Sequence, residues 1–183
     1  MDQDDFWAII ERARDLDGPL HEALETVLAD MPAEAVVDYR QHYDEYKAAL
    51  CRWDVWAAAY LIGGGCSDDS FMDFRAGIIA QGRECYQVAL ANPDDLADLT
   101  LVQATALAGD DGEDIFYEEF TYAPSHAYER ITGNDGLFEA QEQRYPRQPG
   151  EFDMGEDFDF DDSAEMHRRL PRLAALFLNS SSD

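Results

Sequence analysis

Arg52-Trp53-Asp54-Val55-Trp56-Ala57-Ala58-Ala59-Tyr60-Leu61-Ile62-Gly63-Gly64-Gly65-Cys66-Ser67-Asp68-Asp69-Ser70-Phe71-Met72-Asp73-Phe74-Arg75, running on to Gln81-Gly82-Arg83-Glu84, spells helix, sharp turn, helix. Trp53, Trp56 and Tyr60, with Ile62 close by, fall at helical spacing and form an apolar stripe. The three alanines beside them allow a neighbour to approach closely. Gly63 to Gly65 end the first helix, because glycine tolerates the left-handed conformation of a C-terminal cap. Ser67 suits the N-cap of a second helix. Asp68 and Asp69 then fall in its first turn, where the helix macrodipole favours carboxylates. Phe71, Phe74, Ile78 and Ile79 supply its buried face. Asp68 and Asp69 have two readings. One is helix capping. The other is a site, in which adjacent carboxylates on a Gly-rich turn hold a divalent cation or a basic ligand group.

Helical spacing continues on both sides of this block. Phe6, Ile9, Ile10 and Ala13 open the chain as an amphipathic helix, with Asp2, Asp4 and Asp5 at its positive end and Trp7 at the edge of the stripe. Gly18-Pro19 and Pro32 each start a further helix, since proline is tolerated in a first turn. The first carries Leu20, Leu24, Val27, Leu28 and Met31. The second carries Val36, Tyr39, Tyr43, Tyr46 and Leu50, with His42 read as a surface or satisfied histidine. Beyond the central block, Arg83 to Ala91 continues as helix and Asn92-Pro93-Asp94 turns. Asp95 to Ala108 forms one short helix or two, and residues 109–114 make a solvated loop. Pro124 breaks the pattern, and Ser125 to Thr132 is helical with Tyr128 and Ile131 inward. No stretch alternates strictly enough for a strand. The expectation is an all-α fold, a single helical domain over residues 1–183.

Residues 145–162 differ in kind. Pro146, Pro149 and Gly150 prevent regular helix, and acids interleave with Phe152, Phe158 and Phe160. Asp157-x-Asp159-x-Asp161 begins like a calcium-binding EF-hand loop. However, Asp162 stands where the loop needs glycine, and Arg168 where it needs a bidentate glutamate. The reading is a long connection that packs its aromatics on the helical body and turns its acids outward. Asp162 and Glu165 then start a helix, Pro171 starts the last one, and residues 179–183 are expected to fray.

Trp-Asp-Val-Trp-Ala-Ala-Ala-Tyr, Gly-Gly-Cys-Ser-Asp-Asp-x-Phe, Phe-Arg and Ile-Ala-Gln-Gly-Arg-Glu together resemble the signature of a bacterial family known as domain of unknown function 4240. Phe6-Trp7-x-Ile9-Ile10 and Leu170-Pro171-Arg172-Leu173 are similar to that family's ends. The resemblance implies a small intracellular bacterial protein and brings no activity, cofactor or catalytic residue with it. This chain departs from the pattern in one place. The family tends to have a tryptophan shortly after Phe-Arg, where this chain has Ala76-Gly77-Ile78.

Forty acidic residues stand against thirteen basic ones, a net charge of −27. That opposes binding to a nucleic-acid backbone or an anionic membrane surface. Lys47 is the sole lysine, and no basic run exceeds Arg168-Arg169. Cys51, Cys66 and Cys85 are too far apart for a Cys-x-x-Cys metal motif, so reduced thiols in a cytoplasm are expected. The amino-terminal stretch is acidic and amphipathic, unlike a secretory signal, and no apolar run is long enough to span a membrane.

No standard catalytic signature is present, and no cofactor is expected. Two aspartates beside the glycine turn would repel a phosphate, and they oppose activation of Cys66 as a nucleophile. Arg52, Arg75 and Arg83 all fall in the central motif. Either they pair with Asp54, Asp68, Asp69, Asp73 or Glu84 and tie the helices together, or one of them faces a cleft lined by Trp53, Trp56 and Tyr60. The residues singled out as a candidate binding cluster are Trp53, Asp54, Trp56, Tyr60, Asp68, Asp69, Arg75, Arg83 and Glu84. Three functions follow, in order of preference. The first is a non-catalytic interaction or regulatory module with a protein partner. The second is a metal-assisted hydrolase using Asp68, Asp69 and Glu84. The third is a small-molecule sensor built on the aromatic and arginine cluster.

Overall fold

The computed structural model describes residues 1–109, 112, 115–146 and 153–178. Its α-helices are α1 (Gln3–Arg14), α2 (Leu20–Ala29), α3 (Ala33–Ala49), α4 (Trp53–Ile62), α5 (Asp68–Ala80), α6 (Arg83–Ala91), α7 (Thr100–Ala108), α8 (Ala123–Thr132), α9 (Leu137–Arg144), α10 (Ser163–Arg169) and α11 (Pro171–Phe177). Short 3-10 helices lie at Pro93–Asp98 and Glu119–Thr121. No strand occurs among the described residues, so the fold is all-α as expected. None of these helices is long and apolar enough to cross a membrane. Backbone contacts divide the chain into two compact units, one of residues 1–48 and 118–151, the other of residues 49–117 and 152–183.

The first unit is built on α1, α2, α3, α8 and α9. An Asp2–Asp5 capping box starts α1: each carboxylate accepts the other residue's backbone N–H, at 2.8 and 3.0 Å. Phe6, Ile9, Ile10 and Ala13 are buried as their spacing requires. Trp7 goes deeper than an edge position, at 4% exposure. Phe6 stacks on Tyr39 with centroids 4.8 Å apart, and the Tyr43 hydroxyl meets Thr121 Oγ1 at 2.9 Å. His42 is satisfied, its Nε2 lying 3.0 Å from the Met1 carbonyl oxygen. Asp38 gathers Arg144 Nε and the Tyr145 hydroxyl, each at 2.7 Å. Burial alone would raise its pKa, but the hydrogen bonds from Tyr145 and Arg144 outweigh that and hold it below the usual carboxylate range.

Two expectations for this unit need correction. Pro124 does not break a helix; it sits in the first turn of α8, where its missing N–H costs nothing. The positions of α8 that face inward are Ala123, Pro124 and Ala127, while Tyr128 and Ile131 are half-buried. Helix α9 has no legible sequence signal, because Leu137 is its one buried residue, too little for a periodic pattern.

The second unit is built on α4 to α7, α10 and α11. Here α4 turns Val55, Ala58, Ala59 and Ile62 into the core. The Trp53–Trp56–Tyr60 stripe is real, but it lies on the half-buried outer face. A helix that is apolar almost all round does not reveal by spacing which face a neighbour will cover. After it, Gly64 (φ +62°) and Gly65 (φ +136°) take backbone conformations that an L side chain resists. Ser67 caps α5, its hydroxyl accepting the Ser70 N–H at 3.1 Å. Helix α11 packs against α4 and the Pro93–Asp98 turn. Asp94 is buried there and accepts the backbone N–H groups of Arg172 and Leu173 at 3.0 Å each. It thus caps α11 from outside the helix, an effect worth about 1–2 kcal/mol. From sequence, Asp94 has no more than a place in a turn.

Gly112, expected in a solvated loop, is buried at φ +68°. A Cβ there would lie 3.2 and 3.3 Å from Thr105 and Ile62. The rest of that loop between residues 110 and 114 lies outside the described residues. So do Pro149, Gly150 and Phe152 of the acidic connection, and residues 179–183, for which fraying was expected.

Candidate functional site

Because α4 gives its small side chains to the core, its large ones share an outer face. Trp53 and Trp56, three positions apart, stack with centroids 5.4 Å apart and planes within 6°. Trp56 stacks in turn on Phe71 of α5, at 4.7 Å and 8°. Three rings therefore form one continuous stack across two helices. Its position is fixed from the turn between them: the Trp56 indole N–H donates to the Cys66 carbonyl at 3.0 Å. The Arg75 guanidinium lies 4.7 Å from the Phe71 centroid, and its Nε–H donates to the Phe71 carbonyl, one helical turn back, at 3.3 Å.

Residues 153–161 form a strap laid over this stack. The Trp53 backbone N–H, orphaned at the start of α4, donates to the Met154 carbonyl at 3.0 Å. Phe160 presents itself to Trp53, Trp56 and Tyr60, with centroids 6.1, 6.3 and 5.5 Å away. Phe158 packs edge-on to Phe160 at 5.2 Å and lies under the Arg169 guanidinium at 4.2 Å. Polar anchors hold the same segment. The Tyr60 hydroxyl donates to Asp161 at 2.5 Å, and Arg169 pairs with Glu156 and Glu165, both at 2.9 Å. Asp157, Asp159 and Asp161 alternate with the two phenylalanines and are exposed. The expected outward acids and inward aromatics are what the described part of the connection shows.

The electrostatics follow from these contacts. The hydrogen bond to the Asp161 carboxylate, with help from burial, raises the Tyr60 pKa above the ordinary tyrosine range. Hydrogen bonds from Arg168 and Arg169 hold Glu165 down to about 2. Burial, joined by the Asp73 charge, pushes the Cys66 thiol up to about 12 against the lowering effect of the nearby Trp56 indole N–H. A thiol so placed stays protonated at neutral pH, which is the opposite of what a nucleophile needs.

The structure thus brings Trp53, Trp56, Tyr60 and Arg75 around one feature. Asp54 is engaged elsewhere. It takes Arg52 through Nε at 3.0 Å and through Nη2, while Arg52 Nη1 donates to the Leu90 carbonyl at 2.6 Å. That arrangement ties α4 to the end of α6, as expected of an arginine that joins the central helices. Asp68 and Asp69 are exposed in the first turn of α5. Among the described residues, no three His, Cys, Asp or Glu side chains cluster as a metal site. Arg83 and Glu84 open α6, past the far end of α5, which is roughly 18 Å long. They do not join the stack. Sequence reading missed Met154, Asp161 and Arg169 as partners of α4 and its strap. The period-two pattern Asp157-Phe158-Asp159-Phe160-Asp161 was the available signal, because it separates two faces of an extended chain.

A family model described as Protein of unknown function (DUF4240) matches residues 1–130. The chain belongs to this family. No curated protein and no solved structure matches it. The DUF4240 match includes all of the Trp53–Trp56–Phe71 stack and the Gln81–Glu84 turn, whereas the strap and α9 to α11 lie beyond it. At Ala76-Gly77-Ile78 this DUF4240 chain is tightly packed. All three residues are buried, and a Cβ on Gly77 would stand 1.7 Å from the Ile115 carbonyl oxygen. The backbone at Ile115 occupies the space that a ring on Gly77 would need.

Proposed function

We propose that this chain is a non-catalytic protein-interaction module of the bacterial cytoplasm, and that the strap is its recognition element for a basic, extended segment of a partner protein. One observation supports this reading above the others: the exposed Asp157, Asp159 and Asp161 share a strap whose alternate phenylalanines pin it to the aromatic stack beneath. Asp157, Asp159 and Asp161 together offer carboxylates with which the Arg or Lys side chains of such a segment can pair. Ordering these carboxylates in advance lowers the entropic cost of binding. The chain's net charge of −27 would speed encounter with a basic partner.

The test is calorimetric titration with a hexapeptide of alternating Arg and Ser at about 0.15 M salt, where surface charges beyond about 8 Å are screened. Two charge-matched variants are compared. Asp157→Asn/Asp159→Asn alters the strap and leaves the Tyr60–Asp161 anchor in place. Asp17→Asn/Glu34→Gln removes the same charge from exposed positions in the other unit. The strap variant is expected to weaken binding about tenfold more than the control. Equal weakening in both would reduce the interaction to general polyanion attraction and sink the proposal.

A further inference from the structure

The Gln81-Gly82-Arg83-Glu84 turn has no part in the stack, yet it borders a cavity of about 280 Å³ in the same unit. The floor of this cavity is apolar and buried: Ile78 of α5, Val102 of α7 and Ile115 are each 1–2% exposed. Its rim is polar. Glu84 and Thr100 are exposed there, and Gln81 is half-buried. A cavity of about 150 Å³ with apolar walls accepts a benzene molecule. The volume here therefore suits a ring carrying a short substituent, about nine to twelve non-hydrogen atoms.

From this geometry we infer that the cavity is a binding site for a small amphiphilic amine, its apolar body on the Ile78–Val102–Ile115 floor and its ammonium group at Glu84. The rim decides the class of ligand. Among the described residues no Lys or Arg lines this cavity, so an anionic head would meet the Glu84 carboxylate without a counter-charge. A neutral head would gain hydrogen bonds alone. An ammonium group meets a carboxylate at the mouth and enters a molecule whose whole field favours cations. Gly82 lets this happen: its φ of +95° turns the chain between α5 and α6, and Glu84 in the first turn of α6 shares the cavity rim with Gln81. The Gln-Gly-Arg-Glu segment thereby acquires a role separate from that of the tryptophans.

Three probes of one shape separate the possibilities: 2-phenylethylamine, 2-phenylethanol and 3-phenylpropionate. Each is titrated calorimetrically into the full chain at about 0.3 M salt, which screens diffuse attraction of cations. Saturable binding is expected in the order amine, alcohol, carboxylate. Glu84→Gln should weaken the amine about fivefold, as befits a partly solvated ion pair, and leave the alcohol unchanged. Thr100→Trp, which fills the mouth from an exposed position, should abolish binding of both. Leu101→Trp serves the same purpose from the half-buried rim if the first variant does not fold. The inference is overturned if none of the probes saturates, if amine binding survives both tryptophan substitutions, or if Glu84→Gln leaves the preference of amine over alcohol intact.

Discussion

At Gly77 a missing methyl group decides how closely α5 and the segment at Ile115 approach. A Cβ there would lie 1.7 Å from the Ile115 carbonyl oxygen and 2.7 Å from its carbon. Both obstacles are backbone, so no side-chain rotation relieves them. Alanine is the better helix former by about 1 kcal/mol. Overpacking of a close-packed core costs about 1–3 kcal/mol and sometimes more, and at this distance the larger figure applies. Gly77→Ala should therefore lose about 2 kcal/mol net in a urea unfolding titration. A variant as stable as the parent would mean that Ile115 does not press on α5. The sequence could not reveal this need, because it arises from a segment distant along the chain. It did reveal Ser67 as a cap and Phe71, Phe74, Ile78 and Ile79 as buried, since those signals are local to α5. Trp53, Trp56 and Tyr60 fall between the two cases. Their spacing placed them on one face, but the run Ala57-Ala58-Ala59 concealed that the core lies on the other.

Among the elements, the strap was legible in kind but not in target. Its alternating acids and aromatics separate an inner from an outer face, whereas nothing local names α4 as the surface beneath. The Tyr60–Asp161 hydrogen bond gives this contact a measurable signature. Tyr60 has a pKa raised above its free value of about 10. Its neutral form is therefore the one the folded state favours. The stabilisation is complete below about pH 10 and is lost as pH rises through the raised folded value. Unfolding titrations of the parent and of Tyr60→Phe should accordingly differ by a constant amount from neutral pH to about pH 10, then converge above it. No difference between the two proteins at any pH would show that Tyr60 contributes by packing on Phe160 alone, with no part for the hydroxyl. The remote capping of α11 by Asp94 belongs to the same scale. It was illegible for the same reason: the donors lie on Arg172 and Leu173, far along the chain.

For the whole molecule, the thirteen basic residues matter less as attractors than as internal ties. Arg52 is engaged with Asp54, Arg144 with Asp38, Arg169 with Glu165, and Arg172 with Asp95 and Asp98. The surplus of acids is left to face solvent, and composition alone announced that surplus. Two exposed charges about 10 Å apart in water repel by roughly 0.4 kcal/mol before screening. A surface with many such pairs is destabilised by a few kcal/mol at low ionic strength. Salt weakens the exposed ion pairs too, but these are worth at most about 1 kcal/mol each. Repulsion should win, so raising NaCl from about 0.02 to 0.3 M should stabilise the chain by about 2 kcal/mol, a rise in Tm of roughly 4–8 °C for a protein of this size. If screening is the cause, NaCl, MgCl₂, MnCl₂ and CaCl₂ must act alike at matched ionic strength, and Asp68→Asn/Asp69→Asn must respond as the parent does. An excess for one divalent ion, absent from the double variant, would mean that the first turn of α5 holds that ion and is more than a helix cap. A flat response to every salt would mean that the surplus acids are spaced too widely to repel.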